Sequence, residues 1–133
     1  MQKNFGTLLR HTLRILWLPA LIALAPCVAT AQPYPSKPIK LIVTWPPGGS
    51  ADAIGRTVAT ALGKGLGQTV FVENIPGASG NIGTLQFTRA TPDGYTLLLA
   101  TSSTNSASPA LFSKLGFHPI NDFVPISTVA LSP

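Results

Sequence analysis

The sequence predicts an α/β fold, a parallel sheet covered by helices on both faces. Three observations carry that expectation. Short, β-branched apolar runs alternate along the chain with stretches at helical spacing. The runs are mostly apolar, as strands buried on both faces are. The connections between them are punctuated by Gly, Pro, Ser and Asn.

The elements follow in order. Residues 32–38 (QPYPSKP) hold three prolines in seven residues and form an extended lead-in. Residues 39–44 (IKLIVT) read as a buried strand. Residues 45–50 (WPPGGS) form a loop, and Asp52 opens a helix over 53–66 with Ile54, Val58, Ala61, Leu62 and Leu66 near helical spacing. Ser50 or Asp52 is placed to cap its first turn, and Gly65 and Gly67 to end it. The pattern then repeats with a strand over 69–74 (TVFVEN), a loop over 75–80 (IPGASG) and a short helix over 81–90. Thr91-Pro92-Asp93-Gly94 is a turn, since proline presets φ and glycine tolerates positive φ. A third strand over 95–100 leads to a hydroxyl-rich loop over 101–105 and a helical turn over 107–112. Residues 122–131 (DFVPISTVAL) read as a fourth strand, with Pro125 marking an edge or bulge. Crossovers in such a sheet are right-handed, and ligands bind outside the carboxyl ends of its strands. Loops 45–52, 75–81 and 101–105 share that end.

The first 31 residues read as an export signal rather than part of the domain. Lys3, Arg10, His11 and Arg14 precede an apolar run, 15–24 (ILWLPALIAL), and Ala29-Thr30-Ala31 is a small-residue cleavage site. The apolar run is shorter than the ~20 residues that span a bilayer. A second outline is present: Leu24-Ala25-Pro26-Cys27 resembles a lipoprotein cleavage box, though proline before the cysteine fits it badly. With cleavage after Ala31, the chain retains no cysteine and no thiol chemistry. The net charge of +5 is then largely a property of the signal, because six basic residues face four acidic ones from Gln32 onward. Those six are dispersed, which argues against a nucleic-acid surface. The division expected is a signal over 1–31 and the first part of an α/β domain over 32–133. Pro133 follows an apolar stretch with no closing element, so a truncated chain is the expectation.

Catalytic chemistry finds little support. The two histidines are His11, in the signal, and His118, in a Phe-His-Pro turn. General acid–base work needs a positioned histidine or a carboxylate pair, and Asp52, Glu73, Asp93 and Asp122 are dispersed in sequence. No cluster of metal-ligating residues is visible. Gly77-Ala78-Ser79-Gly80 is one residue short of a nucleophile elbow. Gly77-x-x-Gly80-x-x-Gly83 follows a strand and opens a helix, but its spacing is not that of a dinucleotide loop, and the acidic ribose contact is missing after the next strand. A Rossmann-like enzyme domain is therefore a minor alternative.

The same loops suit a carboxylate. Glycine-rich turns entering helices expose backbone N–H groups where the helix dipole favours an anion. Ser50, Ser79, Thr101, Ser102, Ser103 and Thr104 add hydroxyls, and the three loops contain no Lys or Arg. The competing reading is that the glycines only make tight turns and the hydroxyls only cap helices.

The ordered motifs Tyr34-Pro35-x-Lys37-Pro38-Ile39, Pro46-Pro47-Gly48-Gly49-Ser50-Ala51-Asp52, Val72-Glu73-Asn74-x-Pro76-Gly77-Ala78-Ser79-Gly80-Asn81-Ile82-Gly83, Pro92-Asp93-Gly94-Tyr95-Thr96-Leu97 and Asp122-Phe123-x-Pro125-Ile126 resemble one family. They are similar to the extracytoplasmic receptors of tripartite tricarboxylate transporters, the Bug family, over about Tyr34 to Leu131. The resemblance implies a periplasmic-binding-protein-like fold of two hinged domains, of which this chain supplies the first part of domain 1. It also implies a periplasmic monomer that catalyses nothing and uses no cofactor or metal, working with the membrane subunits of such a transporter. The implied ligand is a small carboxylate: citrate, a dicarboxylate, an amino acid, nicotinate or an aromatic acid. Main-chain amides and bridging waters hold it in the family. Carried onto this chain, the implied positions are Pro47, Gly48, Gly49, Ser50 and Asp52, then Gly77, Ala78, Ser79, Gly80 and Asn81, and finally Thr101, Ser102, Ser103 and Thr104. Trp45 stands where relatives carry Phe or Tyr and offers an aromatic wall. Asp52 is expected to orient its loop rather than touch an anion, since like charges repel. A second domain would be needed to close such a trap, and the expectation is that this chain does not carry one, with a non-functional remnant as the alternative within the same family.

Overall fold

The computed structural model describes residues 33–131. The expected export signal, with Cys27 and its cleavage sites, lies outside the described residues. Strands β1 (Ile39–Val43), β2 (Val70–Asn74) and β3 (Thr96–Leu99) alternate with helices α1 (Ser50–Leu66), α2 (Asn81–Thr88) and α3 (Ser108–Leu111). A single 3-10 turn at Ala78–Gly80 precedes α2, and a π-helical turn at Ser103–Ala107 precedes α3.

The three strands form one parallel sheet in the order β2-β1-β3. Val43 pairs with Asn74 on one side and Leu99 on the other, which brings all three carboxyl ends level. The most apolar run takes the centre, where both faces are covered: Ile39, Leu41, Ile42 and Val43 are all buried. Each such side chain contributes about 1.5–3 kcal/mol relative to exposure.

Strand alternation assigns the faces. Leu41 and Val43 point to α1, where they pack with Ala59, Leu99, Ile54, Val58, Val70 and Val72. Thr44, of opposite parity to Val43, meets α2. Glycines sit at both contacts: a methyl on Gly55 of α1 would come to 2.7 Å from Val43 Cγ2, and one on Gly83 of α2 to 3.1 Å from Thr44 Cγ2. Helices thus cover both faces, as the sequence predicts. The connection from β1 moves one way to β2, and the connection from β2 then crosses back over β1 to β3. Right-handed crossovers in opposite directions place their helices on opposite faces.

Helix α1 begins at Ser50, earlier than its apolar spacing suggests, because Gly49 serves as an extended N-cap (φ −86°, ψ 176°). Gly67 ends the helix in the left-handed region at φ 64°. The expected fourth strand does not form. Residues 122–131 carry no strand pairing, and Val124, Ile126 and Leu131 are exposed. β propensity becomes a strand only where a neighbour supplies a ladder, and Pro125 removes one donor. What anchors the segment is Phe123, whose ring stacks on Phe87 of α2 at 5.8 Å and meets Phe117 edge-on at 5.9 Å. Asp122 reaches back to accept the His118 N–H at 2.7 Å, closing the turn expected there. Among the described residues, no helix is long and apolar enough to cross a membrane.

Candidate ligand-binding site

With the order β2-β1-β3, the connections from β1 and from β2 run in opposite directions and their helices lie on opposite faces, so a crevice opens between the carboxyl ends of β1 and β3. This is where ligands bind in open α/β sheets. A cleft of about 450 Å³ occupies it, lined by Trp45, Pro46, Pro47, Gly49, Ser50, Ala51, Thr101 and Ser103. One wall is aromatic and proline-rich. The floor is the first turn of α1, and the other wall carries hydroxyls.

The first turn of α1 is chemically open. Its N-cap, Gly49, has no side chain, and no side-chain cap bond is formed. The first N–H groups of a helix have no intrahelical acceptor, and Gly49, Ser50 and Ala51 border the cleft. The helix dipole adds about half a positive charge at that end.

Asp52, in the same turn, is not among the residues that line the cleft. It is buried, and its Oδ2 accepts the Gly48 N–H at 2.9 Å and Arg56 Nε–H at 3.0 Å. Its Oδ1 accepts from Asn74 Nδ2 at 3.0 Å. The Arg56 hydrogen bond foremost, then those from Gly48 and Asn74, hold its carboxyl at a pKa of about 2. Asp52 thus organises the loop, as its charge leads one to expect. Asn74 Nδ2 also donates to the Trp45 carbonyl at 3.0 Å, and Trp45 Nε1–H points to Thr101 Oγ1 at 3.5 Å.

Loop 75–81 supplies the base of the crevice rather than the cleft lining. Backbone φ is positive at four consecutive residues: Gly77, Ala78, Ser79 and Gly80. Ala78 and Ser79 are exposed, whereas Gly80 and Asn81 are buried. Gly80 passes so close to the β1 and β3 ends that a methyl there would land on the Thr104 methyl and come within 2.9 Å of Thr44 Oγ1. Only glycine supports both that approach and a φ of 90°. Thr44 Oγ1 and Asn81 Oδ1 are buried beside it without a hydrogen-bond partner.

The hydroxyl loop divides. Thr101 and Ser103 line the cleft, with their hydroxyls 2.8 Å apart. Ser102 is exposed outside the lining, and Thr104 is fully buried. Thr104 Oγ1 donates to the Thr101 carbonyl at 2.9 Å and accepts the Thr101 N–H at 3.1 Å. Ser108 likewise donates to the Ser103 carbonyl at 2.8 Å, closing the π-helical turn. Of the predicted positions, the cleft brings together Trp45, Pro47, Gly49, Ser50, Thr101 and Ser103; Gly48 and Asp52 stand behind the loop. Asn74 and Arg56 were absent from the sequence-derived site. Their signal was only that Asn74 ends a strand and Arg56 lies four residues after Asp52.

A parallel sheet with this cleft at its carboxyl edge has the fold of a periplasmic solute-binding protein. Known proteins agree. The periplasmic binding protein BugD superposes with a TM-score of 0.67 at 42% identity, over 70% of this chain and 31% of that one. MatC from Rhodopseudomonas palustris, solved with bound malate, superposes with a TM-score of 0.70 at 33% identity, over 72% of this chain and 33% of that one. Protein BugT of Bordetella pertussis is 43% identical over 105 residues, 78% of this chain and 32% of that protein. The model of the tripartite tricarboxylate transporter family receptor matches residues 54–133, and the chain belongs to that family. It spans about a third of the length of the curated relatives it matches.

Proposed function

We propose that this chain forms the carboxylate-anchoring part of a periplasmic receptor for a tripartite tricarboxylate-type uptake system. One observation carries the reading: the uncapped first turn of α1 opens into the cleft at the β1/β3 switch point. A carboxylate there accepts backbone N–H bonds and sits at the positive end of the helix dipole, an interaction of about 0.3–1 kcal/mol when exposed and up to ~2 when partly buried. Thr101 and Ser103 offer hydroxyls, and Trp45 packs against the ligand's carbon skeleton. Among the described residues, no Lys or Arg lines the cleft, so neutral donors hold the anion. The malate bound by MatC is of this chemical class.

The receptor catalyses nothing and works as a monomer that presents its ligand to membrane subunits. Residues 1–31 direct export and are removed after Ala31. Since the chain spans about a third of its relatives' length, closure over the ligand, choice among carboxylates and docking to membrane subunits are proposed for the whole receptor.

The test is a titration of Trp45 fluorescence in a W17F background, where Trp45 is the only indole. Malate, citrate, nicotinate and glutamate form the panel. A saturable change with at least one carboxylate, absent with the matching amide or alcohol, supports the reading. A flat response to the whole panel sinks it for this chain. N-terminal sequencing of the exported product locates the cleavage site and decides between Ala31 and Cys27.

A further inference from the structure

Strand β2 places Val70 and Val72 against the α1 core, and alternation puts Asn74 in the same row. A third apolar residue would extend that row. An amide in its place costs desolvation unless its hydrogen bonds are made, and here they are made, all to one loop and its helix. Asn74 Nδ2 donates to the Trp45 carbonyl and to Asp52 Oδ1, each at 3.0 Å, using both amide hydrogens. Its Oδ1 faces Arg56 Nη2 at 3.4 Å. The amide's orientation is settled by chemistry, because a carbonyl and a carboxylate can only accept.

The position of these bonds matters. Trp45 is the second residue after β1, and Asp52 in turn holds the Gly48 N–H. The backbone 45–48 is fastened at one end directly to the Asn74 amide and at the other to Asp52, which the same amide holds. Asn74 also ends the strand that leads into loop 75–81, and the following Ile75 N–H bonds to the Val43 carbonyl at 2.9 Å. We propose that Asn74 is a positioning residue for ligand capture: its amide fixes the curvature of loop 45–48 and thereby the aim of Trp45 and of the first α1 amides into the cleft. Only the ligand-binding arm of this proposal rests on the carboxylate reading above.

Two variants and one wild-type measurement test it. Asn74→Ala removes both donors. It should weaken binding of malate, or of whichever panel carboxylate binds, by about tenfold or more, as loss of hydrogen bonds to a carboxylate and a buried carbonyl does. Without ligand, the same variant should speed hydrogen exchange of the Gly48 amide and shift Trp45 emission in the W17F background. Asn74→Asp keeps the shape but turns donors into acceptors facing Asp52 Oδ1 and the Trp45 carbonyl. Arg56 is the cation facing that position, and Glu73, its chain neighbour, pairs with Lys40. Repulsion from Asp52 raises the pKa of the introduced carboxyl. Its protonation restores one O–H donor, so the affinity of N74D relative to wild type should recover on going from about pH 8 to about pH 5. A purely structural role would not produce that recovery in N74D alone. Wild-type affinity and Gly48 protection in N74A overturn the proposal, as does N74D tracking N74A at every pH. If no panel carboxylate binds wild type while Gly48 exchange still rises in N74A, the carboxylate reading fails and the positioning role stands. If both variants unfold, the Asn74 side-chain amide of wild type decides: two resolved, slowly exchanging N–H signals support the role, and one averaged, fast-exchanging pair overturns it.

Discussion

Asp52 Oδ2 accepts the Gly48 N–H at 2.9 Å, a side chain in the first turn of α1 reaching back past its own N-cap to the loop before it. The contact resembles a capping box shifted by one residue: the acidic residue at the third helical position takes the N–H before the N-cap rather than that of the N-cap itself, and Gly49 offers no reciprocal side-chain cap. The carboxylate therefore orders the loop without covering the helix N–H groups that border the cleft.

The first prediction follows from that carboxylate. Its pKa is about 2 when folded, against an ordinary 3.8, with the Arg56 hydrogen bond as the largest cause. A lowered folded pKa means the network contributes full stability above about pH 4 and loses it as pH falls toward 2. The wild-type denaturation midpoint should be level near neutral pH and fall steeply through that acid window. Asp52→Asn should be less stable at neutral pH and show a shallower acid slope. Asp93, also lowered through its bonds to the Tyr95 N–H and Lys37, will retain part of that slope. Urea midpoints at several pH values check this, and parallel curves for the two proteins would refute it.

Gly80→Ala should destabilise the domain by about 2–4 kcal/mol, from positive-φ strain together with overpacking. The added methyl meets the Thr104 methyl and Thr44 Oγ1. Thr104→Ser deletes the first obstacle but keeps the hydroxyl that bonds within 101–104. The double variant should recover about 1 kcal/mol relative to simple addition, a coupling expected of touching residues. Additive losses in denaturant unfolding would show that the two loops are not in contact.

Phe123→Ala tests what holds the segment after the His118 turn. The Phe123 ring contacts Phe87 and Phe117, and aromatic pairs contribute about 0.5–1.5 kcal/mol each beyond area burial. The variant should lose about 1–3 kcal/mol and gain exchange-exposed amides across 118–131, with the sheet amides unchanged. Unchanged exchange in that segment would mean another contact anchors it.

The elements legible in the sequence were those whose determinants are local. The run Ile39 to Val43 is apolar and β-branched, so it announces the central strand, and Gly67 announces the end of α1. The start of α1 at Ser50 was missed by three residues because a glycine N-cap carries no side-chain signal. The strand expected over 122–131 failed for the opposite reason: its propensity is local but its ladder partner would be remote. The site divides in the same way. Loop composition identified Gly49, Ser50, Thr101 and Ser103 as cleft residues. It could not show that Thr104 and Ser108 turn their hydroxyls onto their own backbone, nor that Asn74 reaches across to Trp45. The first two are set by the local backbone of a π-helical turn and the third by register between neighbouring strands, and composition records neither.

Gly49→Leu separates the cleft from the fold. The backbone there is extended at φ −86°, which any residue adopts, and a Cβ would have only the Pro46 carbonyl nearby, at 3.8 Å. Nothing buried is displaced. Leucine is a poor N-cap, but glycine offers no side-chain cap either, so the cost should stay within about 1 kcal/mol. The side chain would, however, stand at the mouth of the first α1 turn, between Pro46 and the amides proposed to hold the carboxylate. Far-ultraviolet circular dichroism and the unfolding midpoint should therefore remain close to wild type, while the Trp45 response to a carboxylate falls by about tenfold or more, the loss expected when one well-placed anionic hydrogen bond is blocked. A variant that folds and still binds with wild-type affinity would move the anchor away from α1, toward the unpartnered Thr44 and Asn81 oxygens below Gly80. Because Asn81 Oδ1 only accepts and Thr44 Oγ1 accepts as well as donates, a ligand held there would be recognised by its protonated or hydroxyl groups rather than by a carboxylate alone.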